Sequence, residues 1–495
     1  MRNLKHMAER EPLVKNIVRY SSSTVFQHVL GVFTAVLKPR LLSPEMYGLL
    51  NILTVIPTYA SYSNLGSYDC ARYKIPYHEA RNEHDRSRMI RDSAFYGSLL
   101  PSAFVATVLL CVVLLADLEA PVRTGLGAMA LIVLAQWYHD NYVLALKAYQ
   151  RFGVLSLSIC IKAAFTLLLT ALLLYLFGIY GAFFVPLLAL IPVLTYLRVA
   201  SPIGERARFD TMTFTGLLKE GFPIMLYNFG AILLSTSDRI VISYFLGNEP
   251  LGYYGIAIMV FGFMRQIPGT AREVIEPDLM QRMESRREER ILREYLFAPL
   301  LTTAYLMPFL VGSVFFVVPA VIPLVLPRYV PGIAATQIIV FGCYFLALAY
   351  STRGLIVAHN WQLSAAVITG IVLFTHVVLS SLLILSGFGI EGVALSCGIS
   401  HLLLFLWSLL FIRKKSACPS AAWGTTAGGI LLAFLAMSGT MTLLQIAFTF
   451  VSINPYMDPL IKVLLFFGVM ILVTKRARAK LGILQNLPFK APGHP

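Results

Sequence analysis

The chain alternates long apolar runs with short polar turns. A helix needs about 20 apolar residues to cross the hydrocarbon core of a bilayer. Fourteen runs come near that length: 17–40, 46–66, 93–116, 124–146, 154–177, 180–197, 222–246, 251–271, 295–318, 331–357, 362–385, 389–412, 422–446 and 459–474. The pattern predicts an all-α polytopic membrane protein. Prolines inside several runs (Pro57, Pro101, Pro186, Pro192, Pro268, Pro308) predict kinks, because each removes a helical hydrogen bond. Pro319, Pro323, Pro327 and Pro331 crowd the turn between the ninth and tenth runs.

The runs are duplicated. Leu42-Ser43-Pro44-Glu45-Met46-Tyr47-Gly48 returns as Leu246-Gly247-Asn248-Glu249-Pro250-Leu251-Gly252, with the acid and the last glycine in matching places. Phe177-Gly178-Ile179-Tyr180-Gly181 returns as Phe388-Gly389-Ile390-Glu391-Gly392. Each half holds six runs, an even number, so both enter the membrane in the same sense and are related by an axis along its normal. The expected organisation is a six-helix lobe over 1–200, a second over 201–412, and two further helices with a basic tail over 413–495.

Composition agrees with a lipid solvent. Of 495 residues, 57% are hydrophobic and 13% charged, with mean hydropathy +0.73, about half the charged fraction of a soluble protein. The net charge of +15 does not point to nucleic acid, because the basic residues lie in turns between apolar runs. With the N-terminus inside, 32 of the 40 Lys and Arg fall in inside segments or at inner span ends, 5 in outside turns or at outer span ends, and 3 deeper within spans, which places both termini in the cytoplasm. The charged stretches 67–92 and 272–294 read as topogenic charge near anionic lipid, or as a partner surface. The first sixteen residues are polar and no small-residue cleavage site follows, so the first run is expected to be a retained helix. Six scattered cysteines show no metal-ligand or disulfide spacing, and no Gly-rich phosphate cradle appears. No cofactor is expected.

Ionisable residues at membrane depth are costly and mark candidate sites. Asp238 and Arg239 lie in the seventh span. Helix neighbours diverge by about 100°, so they do not simply pair with each other. Asp140 and Lys162 lie in the fourth and fifth spans, either as a buried ion pair or as a substrate or coupling-ion site. Lys38 and Arg40 line or anchor the outer end of the first span, and Arg353 lies near the inner end of the tenth. His376 and His401 sit mid-span. They read as packing residues, or as the histidines of a membrane acyltransferase.

Ser237-Asp238-Arg239-Ile240-Val241-Ile242 followed by Leu246-Gly247-Asn248-Glu249-Pro250-Leu251-Gly252-Tyr253-Tyr254 resembles the seventh-to-eighth-helix signature of bacterial polysaccharide flippases. The first-half run Tyr47-Gly48-Leu49-Leu50 through Asn64-Leu65-Gly66 to Ala71-Arg72-Tyr73 is similar to the same family, within the multidrug, oligosaccharidyl-lipid and polysaccharide exporter superfamily. The resemblance implies two lobes around a central cavity in the inner membrane. It implies outward translocation of an undecaprenyl-diphosphate-linked oligosaccharide, with the polysaccharide polymerase and chain-length machinery as partners. Cavity cations for the diphosphate would be Arg239, Lys162, Lys38, Arg40 and Arg353, with Asp140 or Asp238 as coupling-ion sites. A peptidoglycan-precursor flippase or a multidrug antiporter would keep the fold and change the cargo. Thr34-Ala35 stands where the second half has Asp238-Arg239, so that charge pair is not duplicated.

Overall fold

A computed structural model describes residues 13–201, 209–282, 291–416, 420–450 and 457–481. Among them every regular element is helical, so the protein is all-α. Eight helices of the described residues are long and apolar enough to cross a bilayer, against fourteen expected spans. Part of the difference is physical. One helix holds two expected spans run together. The second span is broken into shorter helices, and Gln136, His139, Asp140 and Asn141 interrupt the apolar run of the fourth.

The chain forms two compact units, Met1–Ile232 and Leu233–Pro495. The first contains α1 (Leu13–Leu41), α2 (Pro44–Leu53), α3 (Val55–Ala60), α4 (Ser67–Ala80), α5 (His84–Leu115), α6 (Ala120–Ala148), α7 (Phe152–Ala200) and nearly all of α8 (Thr211–Leu234). Here α1 packs along α7, and α5 lies between α4 and α6. The charged stretch 67–92 is helical on both sides of a turn at 81–83. It is too polar to read as a span, yet Cys70, Ala71 and Ile75 form one apolar face against Ile90, Ala94, Leu144 and Leu217. Its partner stretch 272–294 lies partly outside the described residues.

Helices in lipid associate through close packing more than through hydrophobic expulsion, so small residues decide where they touch. The turn before α4 and the body of α8 meet backbone to backbone. A Cβ on Gly221 would lie 2.0 Å from the Gly66 carbonyl oxygen. Beside this contact Lys74 Nζ meets Glu220 Oε1 at 2.6 Å, and Asn228 Nδ2 donates to Asp69 Oδ1 at 3.4 Å.

The second unit contains α9 (Ser237–Phe245), α10 (Asn248–Arg282), α11 (Ala298–Val325), α12 (Ile333–Ala358), α13 (Gln362–Leu385), α14 (Gly389–Lys415), α15 (Ser420–Ala447) and α16 (Asp458–Leu481). Helix α12 packs against α10, α11 and α14, and is the most enclosed apolar helix. The last pair, α15 and α16, lies on α11. There the fully buried Phe466 presses on Gly312, in the space a side chain would fill.

The duplicated motifs have a common structural meaning. Ser43 caps α2, with Oγ accepting from Met46 N at 3.4 Å, Pro44 opening the helix and Glu45 in its first turn. A fixed φ at the first helical position and an acid near the positive end of the helix dipole both favour a helix start. In the second half, Gly247 (φ +91°) leads into α10, and Glu249 stands in its first turn. The later motifs are tight reversals. Gly178 (φ +55°, ψ −130°) divides α7 into two segments, and Gly389 (φ +57°) opens α14. The Gly178 conformation is readily reached only by glycine, and glycine takes the positive φ at 389 without steric cost. Three residues on, a Cβ on Gly181 would lie 2.1 Å from Leu173 O, and one on Gly392 would lie 2.9 Å from Leu383 Cβ. In each half the first glycine turns the chain and the second lets the new helix lie on the old one.

Candidate functional site

The first unit has a polar cleft where the break between α3 and α4 faces α5 and α6. Asn64 holds the break in shape: its Nδ2 donates to Ser61 O at 2.8 Å, and its Oδ1 accepts from Gly66 N at 2.9 Å. Asn64, Tyr68, Ser102, Gln136, Trp137 and Asp140 line the cleft, which encloses about 280 Å³ including its open side. Most of that is open solvent, and the enclosed space is about 10 Å³, room for one water molecule.

A chain of hydrogen bonds orders the wall. The Trp137 ring stacks on Phe95 at 4.4 Å. Trp137 Nε1 donates to Ser98 Oγ at 3.1 Å, and Ser98 Oγ donates on to Tyr68 Oη at 3.3 Å. The Tyr68 hydroxyl feels the Asp140 charge. Asp140 is one-third exposed and bonds the ring of buried His139 at 3.2 Å.

Lys162 of α7 is half-buried and interacts electrostatically with Asp140. Among the described residues it forms no ion pair within 4.0 Å. The structure therefore brings Asp140 and Lys162 into one electrostatic neighbourhood without joining them. A membrane-embedded ammonium without an ion-pair partner among the described residues is suited to an anionic group.

The other candidate cations lie elsewhere. Lys38, half-buried, and Arg40, exposed, occupy the last turn of α1 and do not line the cleft. Basic residues there also suit the negative end of the helix dipole. Arg353 is half-buried on α12 of the second unit.

Asp238 and Arg239 open α9. Asp238 is 5% exposed, and its Oδ1 accepts from Arg239 N at 2.8 Å. Their side chains form no ion pair within 4.0 Å, as their angular separation on the helix requires, and Arg239 Nε is buried without a partner. Two side chains that sequence reasoning did not connect to Asp238 interact with it: Tyr254 of α10 and His376 of α13. Both are fully buried. Tyr254 Oη and His376 Nε2 are buried without a hydrogen-bond partner among the described residues. No sequence spacing signals this meeting, since it depends on how three helices pack.

His376 and His401 have the surroundings of packing residues. His376 is tied to Ser396 at 3.1 Å. His401, 1% exposed, stacks on Phe261 with centroids 5.4 Å apart. Neither is reachable by an acyl donor.

The fold is shared with solved membrane transporters, among them members of the multidrug, oligosaccharidyl-lipid and polysaccharide exporter superfamily. The lipid II flippase MurJ, in an inward closed conformation, matches over 94% of this chain and 99% of its own, with TM-score 0.70 and 15% identity. An inward-facing multidrug resistance MATE transporter matches over 81% and 99%, with TM-score 0.64 and 14% identity. A superfamily transporter from Pyrococcus furiosus, described by its reversed binding-pocket polarity, matches over 81% and 95%, with TM-score 0.52 and 15% identity. A search among curated proteins finds no significant match. The model of the polysaccharide biosynthesis protein family matches residues 13–267, and the chain belongs to that family. The protein is thus a multi-pass membrane protein of that family, with a fold shared by solved transporters.

Proposed function

We propose that the protein flips undecaprenyl-diphosphate-linked oligosaccharide repeat units from the cytoplasmic to the outer leaflet of the bacterial inner membrane, by alternating access, for surface polysaccharide synthesis. Both termini lie in the cytoplasm. The supporting observation is Lys162, a half-buried cation without an ion-pair partner among the described residues, which interacts electrostatically with Asp140 of the cleft lining. In this reading Lys162 holds a diphosphate oxygen, and Asn64, Gln136 and Asp140 meet sugar hydroxyls. Arg239, Lys38, Arg40 and Arg353 are further cations for the diphosphate path, and Asp140 and Asp238 are the coupling-ion candidates. The lipid tail stays in the bilayer. The flipped units pass to a polymerase and its chain-length partner.

The test is flipping of a polyprenyl-diphosphate oligosaccharide in proteoliposomes, read by accessibility of the sugar to an external glycosidase. Lys162→Gln is expected to lose at least about tenfold in rate and Lys162→Arg to retain most of it, since a charged hydrogen bond contributes about 1.5–3 kcal/mol. Equal rates for wild type and Lys162→Gln would refute the role of Lys162. Absence of flipping by the wild type, with flipping of a peptidoglycan lipid precursor instead, would favour the alternative suggested by the likeness to MurJ.

A further inference from the structure

The first unit gathers cations at one end, away from the cleft. The turn between α6 and α7 is tight: Gln150 takes φ +57°, and Arg151 N donates to Leu146 O at 2.8 Å. That fold-back sets Lys147 and Arg151 on the two sides of the turn. Lys147 Nζ stands 6.0 Å from the centre of the Tyr20 ring on α1, and Tyr20 meets Phe152 edge to face at 5.8 Å. Arg19, next to Tyr20, lies on the bare backbone at the start of α7, where a Cβ on Gly153 would be 3.4 Å from its Nη1. Arg151 Nη1 donates to Ser201 Oγ at 3.4 Å, which ties in the far end of α7. One turn before Ser201, Arg198 interacts electrostatically with the Tyr142 hydroxyl of α6. Cations from α1, from α6, from the turn and from the end of α7 thus surround one aromatic pair.

Little acid accompanies them. Helices α1 and α7 contain no carboxylate, and α6 contains only Asp140, which bonds His139 and lines the cleft. A guanidinium carries several N–H donors, and among the described residues Arg151 places only one of them on an acceptor. Basic residues at helix ends also set topology, and Lys147 and Arg198 suit the negative ends of α6 and α7. Arg151 does not: it caps the positive end of α7, where the dipole disfavours a cation and favours an anion. Neither topology nor the dipole requires cations from four chain segments to converge, whereas a phosphate does use convergent donors of this kind.

The surface beyond the cations is apolar. Phe26, two turns along α1 from Arg19 on the same face, is exposed, and so is Leu157, one turn along α7 from Gly153. Those steps are roughly 6–10 Å, comparable to the headgroup layer of one leaflet, about 5–8 Å. We infer that Arg19, Lys147, Arg151 and Arg198 bind the phosphate headgroup of an anionic phospholipid, whose acyl chains lie along Phe26 and Leu157. Arg19 and Arg151 hold the phosphate oxygens, and Lys147 and Arg198 add to the positive field around them. Basic pockets between helix ends are suited to such headgroups. That the lipid belongs to the cytoplasmic leaflet rests on the orientation given with the flippase reading, but the binding itself does not.

The experiment is native mass spectrometry of the purified full-length protein in detergent, titrated separately with dioleoyl phosphatidylglycerol and dioleoyl phosphatidylcholine. No lipid-linked oligosaccharide is present, so the result is separate from that of the flipping assay. Wild type is expected to retain phosphatidylglycerol at concentrations where phosphatidylcholine is lost. Arg19→Gln combined with Arg151→Gln should weaken that binding by about fivefold, or about 1 kcal/mol, for each charge removed. Arg19→Lys combined with Arg151→Lys should keep most of it. Lys147→Gln serves as the second variant if the double glutamine variant fails to fold, and it too should weaken binding. Arg413→Gln combined with Lys414→Gln removes two charges from the last turn of α14 in the other unit and should leave binding unchanged. The proposal is overturned if the two lipids bind alike, or if the folded variants at Arg19, Arg151 and Lys147 bind phosphatidylglycerol as wild type does. Equal loss in the α14 variant would overturn it in favour of net charge. Displacement of the lipid by millimolar glycerol 3-phosphate would also overturn it, by making the cluster a site for soluble anions.

Discussion

Gly221 gives the sharpest mechanical prediction. The Cβ of Gly221→Ala would begin 2.0 Å from the Gly66 carbonyl oxygen, whereas real Cβ contacts stay beyond 3.0 Å. The obstacle is backbone, so no rotamer change relieves it, and the two segments must part by at least 1 Å. Overpacking of this kind costs about 1–3 kcal/mol. The same displacement stretches the Lys74–Glu220 pair from 2.6 Å towards the limit of contact. That pair adds little to the cost, because its side chains are 34% and 58% exposed. The more sensitive reporter is Cys70, 5% exposed, whose thiol sits 3.7 Å from Glu220 Oε2. In a background with Cys70 as the sole cysteine, Gly221→Ala should speed maleimide labelling severalfold and lower the thermal midpoint in detergent. Lys74→Met should do much less to the midpoint. Unchanged labelling and an unchanged midpoint in Gly221→Ala would show that the close approach does not hold these helices together.

Three further outcomes are expected. Gly178→Ala forces a side chain into a glycine-only conformation at a cost of about 1–3 kcal/mol, seen as a lower thermal midpoint, while Gly127→Ala, which meets open space, serves as the control. Phe466→Ala opens a cavity against Gly312 and Phe316 and should destabilise by about 3 kcal/mol. The thermal midpoint in detergent should fall accordingly, and an unchanged midpoint would refute the packing role of Phe466. Glu83, in the 81–83 turn, is held below the ordinary carboxylate range by its hydrogen bond to His78 at 2.6 Å. A depressed native pKa supplies stability above the unfolded value, lost as pH falls through the native one. Thermal midpoints should thus decline more steeply in acid for wild type than for Glu83→Gln, and parallel curves would refute the contribution.

Much of the architecture was legible because it depends on local rules. The Ser43-Pro44-Glu45 and Asn248-Glu249-Pro250 stretches are helix starts by capping and dipole chemistry alone, and Gly178 and Gly389 are reversals because glycine takes positive φ without steric cost. Helix α4 was less legible. Its charged residues hide one apolar stripe, Cys70, Ala71 and Ile75, that matters only once α5 and α8 lie against it. The candidate sites divide in the same way. Depth in the membrane singled out Asp140, Lys162, Asp238 and Arg239. The partners that give them chemistry, the Trp137–Ser98–Tyr68 chain in one unit and Tyr254 with His376 in the other, come together through helix register that no spacing encodes.

The reversal at Gly178 has a consequence for how the protein can vary. Two spans meet there without a spacer, and Gly181 rests directly on the Leu173 carbonyl. Each inserted residue would rotate the following helix by about 100°, carrying Ile179, Ala182 and Phe183 off their buried face. The chain length across 173–183 is therefore locked, whereas the 81–83 turn, with Arg81 and Asn82 exposed, has room for extra residues. Among related sequences, insertions and deletions should cluster at the second place and avoid the first, and an epitope tag should be tolerated only where they cluster.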